Sequence, residues 1–199
     1  DAEAARDQAA DLAKASMACN QDVACQSALT SGANAVARMS FVEGSSGYNC
    51  TGTLLNNAAQ DGTPYFITAN HCIATQTVAS TLQTDWFYRA ERCGSTALSS
   101  AAQSRKGGAA LLFTTATTDA SLLRLNDAPP AGANFLGWNA STPVASDVVG
   151  LHHPKGDLLK YSVGRLTGFI NCTPTGNNGL SCGTGNGDSG YVQADWNAG

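Results

Sequence analysis

A chain of 199 residues has enough material for one large domain or two small ones, each with its own core. Only 13% of its residues are charged and the formal net charge is -4. With no basic stripe, neither nucleic acid nor an anionic membrane surface is expected as a partner.

No apolar run approaches the roughly 20 residues of a membrane-spanning helix. Asp1 to Lys14 is polar and alanine-rich, without the basic start and apolar centre of a signal peptide, so the chain reads as processed or cut from something longer. Seven cysteines (Cys19, Cys25, Cys50, Cys72, Cys93, Cys172, Cys182) are many for a cytosolic protein, and none has the Cys-x-x-Cys spacing of zinc or redox sites. Disulfides in a secreted protein explain them better, and the odd count leaves one without a mate in this sequence.

In chain order, residues 1–17 favour helix through Ala, Leu, Glu, Gln and Lys, with a thin alanine face. Residues 1–34 are therefore expected to be a partly helical N-terminal extension. From Ala35 the pattern changes to short β-type runs broken by Gly, Ser, Asn and Pro, the spacing of an antiparallel barrel or sandwich. Strands are expected at 35–41, 51–55, 65–69, 84–88, 109–114 and 120–124, with turns at 44–47 and 56–62 and an exposed loop at 103–108. Asn126 to Gly132 reads as a linker, because Pro129 and Pro130 forbid helix and remove two ladder donors. A second β unit follows, with runs at 135–138, 148–151, 161–167 and 191–196 and a turn at 152–157. The expected boundaries are 1–34, 35–126, a linker at 127–134, and 135–199.

The chemistry centres on Thr68-Ala69-Asn70-His71-Cys72, which sets an imidazole where a buried strand meets a loop. Histidine is the one side chain whose ordinary pKa lies near neutrality, so His71 is a candidate general base. A hydroxyl nucleophile activated by an imidazole also needs a carboxylate to fix the imidazole tautomer and amides to hold the oxyanion. Asp119 fits the carboxylate, because it heads the alternating run Ala120-Ser121-Leu122-Leu123-Arg124-Leu125; Asp85, Asp127 and Asp147 compete but head no such strand. Ser189, in Gly187-Asp188-Ser189-Gly190, is the obvious nucleophile candidate. Against it, only ten residues follow, and Asn177 to Gly190 has the Gly/Asn/Ser/Thr composition of a flexible hairpin tip, where that tetrapeptide arises easily.

Cys50-Thr51-Gly52-Thr53-Leu54-Leu55, then Ala69-Asn70-His71-Cys72, then Asp119-x-x-Leu122-Leu123-x-Leu125 resemble, in that order, the chymotrypsin-like serine endopeptidases. With Cys19-Asn20-x-Asp22-Val23-x-Cys25 and His152-His153-Pro154 added, the chain resembles the bacterial lysyl-endopeptidase-like branch of trypsin-like proteases from Cys19 to its end. The resemblance implies an all-β, chymotrypsin-like double antiparallel β-barrel with the second barrel incomplete. It implies His71 as base and acid, Asp119 as its orienter, and a nucleophile in a Gly-Ser-Ser-Gly-Ser loop beyond Gly199, with Ser189 a decoy. Pairings of Cys50 with Cys72 and Cys25 with Cys93 are implied too, leaving Cys172 with Cys182 to close the Gly-rich hairpin and Cys19 to bond a cysteine after the nucleophile.

The expected protein is a secreted bacterial monomer acting on protein or peptide substrates, with no cofactor and no metal, and with Lys at P1 as the family's possible preference. His152 and His153 are adjacent on an extended chain, point to opposite faces and lack a third ligand, so a polar turn is expected there. Trp86, Trp138 and Trp196 are expected as core or interface aromatics. Two other readings compete: a non-catalytic protease-like binding domain and a Cys/His metal protein.

Overall fold

The computed structural model describes residues 20–143, 145–175, 179–186 and 190–198. The expected helix over 1–17, Cys19 and Ser189 lie outside the described residues. Twelve strands are described: β1 (Gln21–Asp22), β2 (Val36–Glu43), β3 (Ser46–Leu55), β4 (Tyr65–Thr68), β5 (Gln83–Trp86), β6 (Gln103–Arg105), β7 (Ala109–Thr115), β8 (Ala120–Leu125), β9 (Asp147–His152), β10 (Lys160–Thr175), β11 (Gly179–Thr184) and β12 (Tyr191–Ala198).

Seven of them form an antiparallel sheet in the order β6-β5-β2-β3-β4-β8-β7. Period-two alternation sets which side chains face inward. Along β8, Ser121, Leu123 and Leu125 are buried while Arg124 is exposed. The core beneath this sheet holds Met39, Leu54, Phe66, Ile73, Leu82, Trp86 and Leu123, all fully buried. Each large apolar side chain buried in this way stabilises the sheet by about 1.5–3 kcal/mol. The hairpin from β2 to β3 closes between Glu43 and Ser46, with Gly44 at φ 60° supplying the left-handed turn residue.

Gly52 in β3 is required by its neighbours. A Cβ there would collide with the Phe66 ring and lie 2.9 Å from Met39 Sδ. Because Phe66 is fully buried and cannot swing into solvent, Gly52→Ala is expected to cost about 1–3 kcal/mol. Urea titration checks this through a lower midpoint at unchanged slope.

The second sheet is built on β10, which pairs with β1, β9, β11 and β12. A bulge between Leu166 and Gly168 shifts the β10–β12 register. Among the described residues neither sheet closes on itself, so the expected barrels take the form of two open sheets.

Three local expectations need correction. Residues 135–138 form no strand: Leu136 makes one parallel bridge to Leu55 and the chain then departs, leaving Trp138 exposed with its indole N–H on Asn56 O at 3.1 Å. Trp196 is exposed too, and only Trp86 of the three tryptophans is buried. The loop expected at 103–108 begins with β6, because Gln103–Arg105 pairs with the sheet edge at β5. Part of the loop expected at 177–190 is β11, registered on β10 so that Cys172 faces Cys182.

The N-terminal segment also does more than extend the chain. Gln21 pairs with Tyr161, so β1 belongs to the second sheet, and Val23 packs with Leu159 and Tyr161.

Candidate active site

β4 delivers the candidate base. Its last residue, Thr68, is buried and donates its hydroxyl to Thr51 O at 3.0 Å, fixing the strand end against β3. The chain then turns, with Cys72 N and Ile73 N both 3.2 Å from Ala69 O, and this turn presents His71 outward with 61% of its side chain exposed. The Cys50–Cys72 disulfide clips the turn to β3. Closing a loop of that span stabilises by about 3 kcal/mol in the chain-entropy account.

β7 and β8 deliver the carboxylate. The hairpin between them turns through residues 116–119, and Asp119 sits at φ 48°, a left-handed conformation that Asp tolerates better than most residues. Its Oδ1 accepts the His71 backbone N–H at 2.9 Å, and its Oδ2 lies 2.6 Å from His71 Nδ1. An ionised carboxylate can only accept, so the Nδ1 proton is held on the imidazole and the neutral ring keeps its Nε2 lone pair free to take a proton. The two residues expected to work together are thus brought together.

The three competing carboxylates are engaged elsewhere. Asp85 is buried and takes the Arg38 guanidinium at 3.0 and 2.8 Å together with Ser104 and Gln83. Asp127 accepts from Gly107 N at 2.7 Å, and Asp147 pairs with Arg165 at 2.6 Å. Cys50, His71 and Cys72 place their donor atoms within 4.8 Å of one another, but bonded sulfurs offer no thiolate to a metal. The other pairing implied by the resemblance, Cys25–Cys93, is present, as is the remaining pair expected to close the Gly-rich hairpin, Cys172–Cys182.

Sequence reasoning missed the polar support behind this pair. Asn70, Thr114 and Ser121 are joined by hydrogen bonds of 2.6–2.7 Å. The available signal was a hydroxyl among the otherwise apolar inward positions of a strand, Ser121 beside Leu123 and Leu125 in β8.

It also missed the role of the His152-His153 turn. His153 is buried rather than part of an open polar turn: its ring packs edge-on against Tyr88 at 6.0 Å, and its backbone N–H donates to Thr51 Oγ1 at 2.9 Å. The ring Nδ1 lies 2.8 Å from Asp157 O, so Nδ1 carries the proton, and Nε2 has no hydrogen-bond partner among the described residues. Burial, with a smaller push from the Arg38 charge, lowers the His153 pKa to about 3. A histidine depressed in the fold is neutral there, while the unfolded chain takes up a proton below pH ~6.5. This contribution to stability is therefore complete above pH ~6.5 and is lost as pH falls toward 3. At pH 4 the loss is expected to be on the order of 3 kcal/mol, and urea titrations at pH 7 and pH 4 should show a steeper acid loss for the wild type than for His153→Gln.

Two packed antiparallel sheets, with a histidine at the end of one strand and its carboxylate at the head of a neighbour, place the chain among chymotrypsin-like protease folds. Solved structures of that kind superpose on it: the Anisep protease of Arthrobacter nicotinovorans, 17% identical over 80% of this chain and 81% of that one with a TM-score of 0.50, and Deg5, 14% identical over 85% and 71% with a TM-score of 0.50. Residues 13–199 match the family described as Lysyl endopeptidase, C-terminal domain, and the chain belongs to that family. It is 40% identical over 164 residues to a lysyl endopeptidase of Pseudomonas aeruginosa; the match covers 77% of this chain and spans about a third (35%) of that relative's length.

Proposed function

We propose that this chain is the base-bearing part of a secreted serine endopeptidase, in which His71 takes the nucleophile's proton and returns it to the leaving amine while Asp119 holds the Nδ1 proton. The observation that carries this is the double contact of Asp119 with the His71 ring and the His71 backbone N–H. One carboxylate thereby sets both the tautomer and the position of the imidazole. The nucleophilic serine is assigned to a part of the protein outside residues 1–199, and Ser189 is not given that role. Three disulfides agree with export to an oxidising compartment. No helix among the described residues is long and apolar enough to cross a membrane.

The substrates are proteins or peptides, with lysine at P1 as the selectivity that the family name suggests. Peptides differing only at P1 test the assignment in the full-length protein. Release after Lys should exceed release after Phe or Leu by at least about a hundredfold, since a charged side chain left unpaired in a pocket costs several kcal/mol. Equal cleavage after all of them would remove the lysine assignment and leave the endopeptidase one standing.

A further inference from the structure

We infer that Asn70, Thr114 and Ser121 form a positioning relay that holds the His71–Asp119 pair in register, a role that rests on the catalytic reading above. The relay has one direction. Ser121 Oγ is buried and donates to Ile73 O at 2.6 Å, so its one proton is committed. It can then only accept from Thr114 Oγ1, 2.7 Å away, which commits the Thr114 proton as well. Thr114 Oγ1 in turn accepts from Asn70 Nδ2 at 2.6 Å. Turning the Asn70 amide over would set an acceptor against an oxygen with no proton left to give, so its orientation is fixed by the chain of donors.

What the relay ties together gives it a function. Asn70 immediately precedes His71, and Ile73 closes the turn two residues after it. Ser121 follows Asp119 by two residues on β8 and stands directly opposite Thr114 of β7. On its other side Ser121 is registered with Thr68, the residue from which the histidine turn departs. A single run of short hydrogen bonds therefore crosses from the histidine turn to β7, then to the carboxylate strand, and back to the histidine turn. Each hydroxyl donates once and accepts once, so the bonds polarise one another in a partly buried setting. Both residues of the pair need such an anchor: His71 is largely exposed, and Asp119 leaves its hairpin through a left-handed turn. The Cys50–Cys72 disulfide holds the turn to β3 on one side, and the relay holds it to β7 and β8 on the other.

The test uses Thr114→Val in the full-length protein, which keeps the side-chain shape and removes the hydroxyl. We expect kcat to fall roughly tenfold to a hundredfold with KM within about twofold, because the histidine is misplaced while the peptide still binds. Thr114→Ser should restore most of kcat. Asn70→Ala breaks the same chain at its other, half-buried end and should give the same split of kcat from KM if Thr114→Val folds poorly. The low-field proton resonance of His71 Nδ1 gives a readout that needs no hydrolysis: it should broaden by exchange with water in Thr114→Val and sharpen again in Thr114→Ser. A folded Thr114→Val with unchanged kcat and an unchanged resonance would overturn the relay, as would a loss in KM alone or a failure of Thr114→Ser to rescue. If His71→Ala leaves hydrolysis intact, the catalytic reading fails, and the resonance still decides whether the three side chains position the imidazole.

Discussion

His71→Ala in the full-length protein is expected to lower peptide hydrolysis by roughly a millionfold while leaving the midpoint of thermal unfolding nearly unchanged. The size follows from the proposed role of His71 as the base that takes the nucleophile's proton, since residues of such a triad act as a unit. The unchanged stability follows from exposure: with 61% of the side chain in water, removing the ring opens no cavity in the core. The Asp119 carboxylate loses its ring contact at 2.6 Å and keeps the His71 backbone N–H at 2.9 Å. Steady-state hydrolysis and calorimetry on the same preparation separate the two effects. Activity that survives the substitution would remove His71 from the mechanism.

The second large effect is expected from Asp119→Asn, with kcat lower by roughly ten-thousandfold and KM little altered. Asparagine can occupy the left-handed conformation at φ 48° almost as readily as aspartate, so the hairpin should keep its shape. What changes is the hydrogen bond. The side chain can still accept the His71 backbone N–H through its amide oxygen, but it then turns an NH2 toward Nδ1 and favours the tautomer with the proton on Nε2. That tautomer has no lone pair facing the nucleophile. A variant of normal stability that retains wild-type kcat would show that the carboxylate does not orient the ring.

Much of the site was legible in the sequence because its parts are local. A β-type run ending in Thr68-Ala69-Asn70-His71-Cys72 announces a histidine at a strand end, and Asp119 precedes a clear alternating strand. Apart from β6, the first sheet follows the expected runs closely, since those strands carry inward apolar residues of their own. The rest depends on pairing between distant segments. Gln21–Asp22 has no strand pattern of its own and becomes β1 because β10 offers it an edge. Residues 135–138 have the apolar content of a strand, but only Leu136 finds a backbone partner, at Leu55. His153 reads as a polar turn residue until Tyr88, Thr51 and the Asp157 carbonyl close around it. The relay through Asn70, Thr114 and Ser121 was hidden for the same reason, as its members are 44 and 7 residues apart and share no motif.

The most direct measurement of the central claim is to treat the full-length protein with a fluorophosphonate and map the modified residue by peptide mass. The account predicts one adduct, on a serine outside residues 1–199, that forms rapidly in the wild type and is lost in His71→Ala. An adduct on Ser189, or a reaction equally fast without His71, would contradict it.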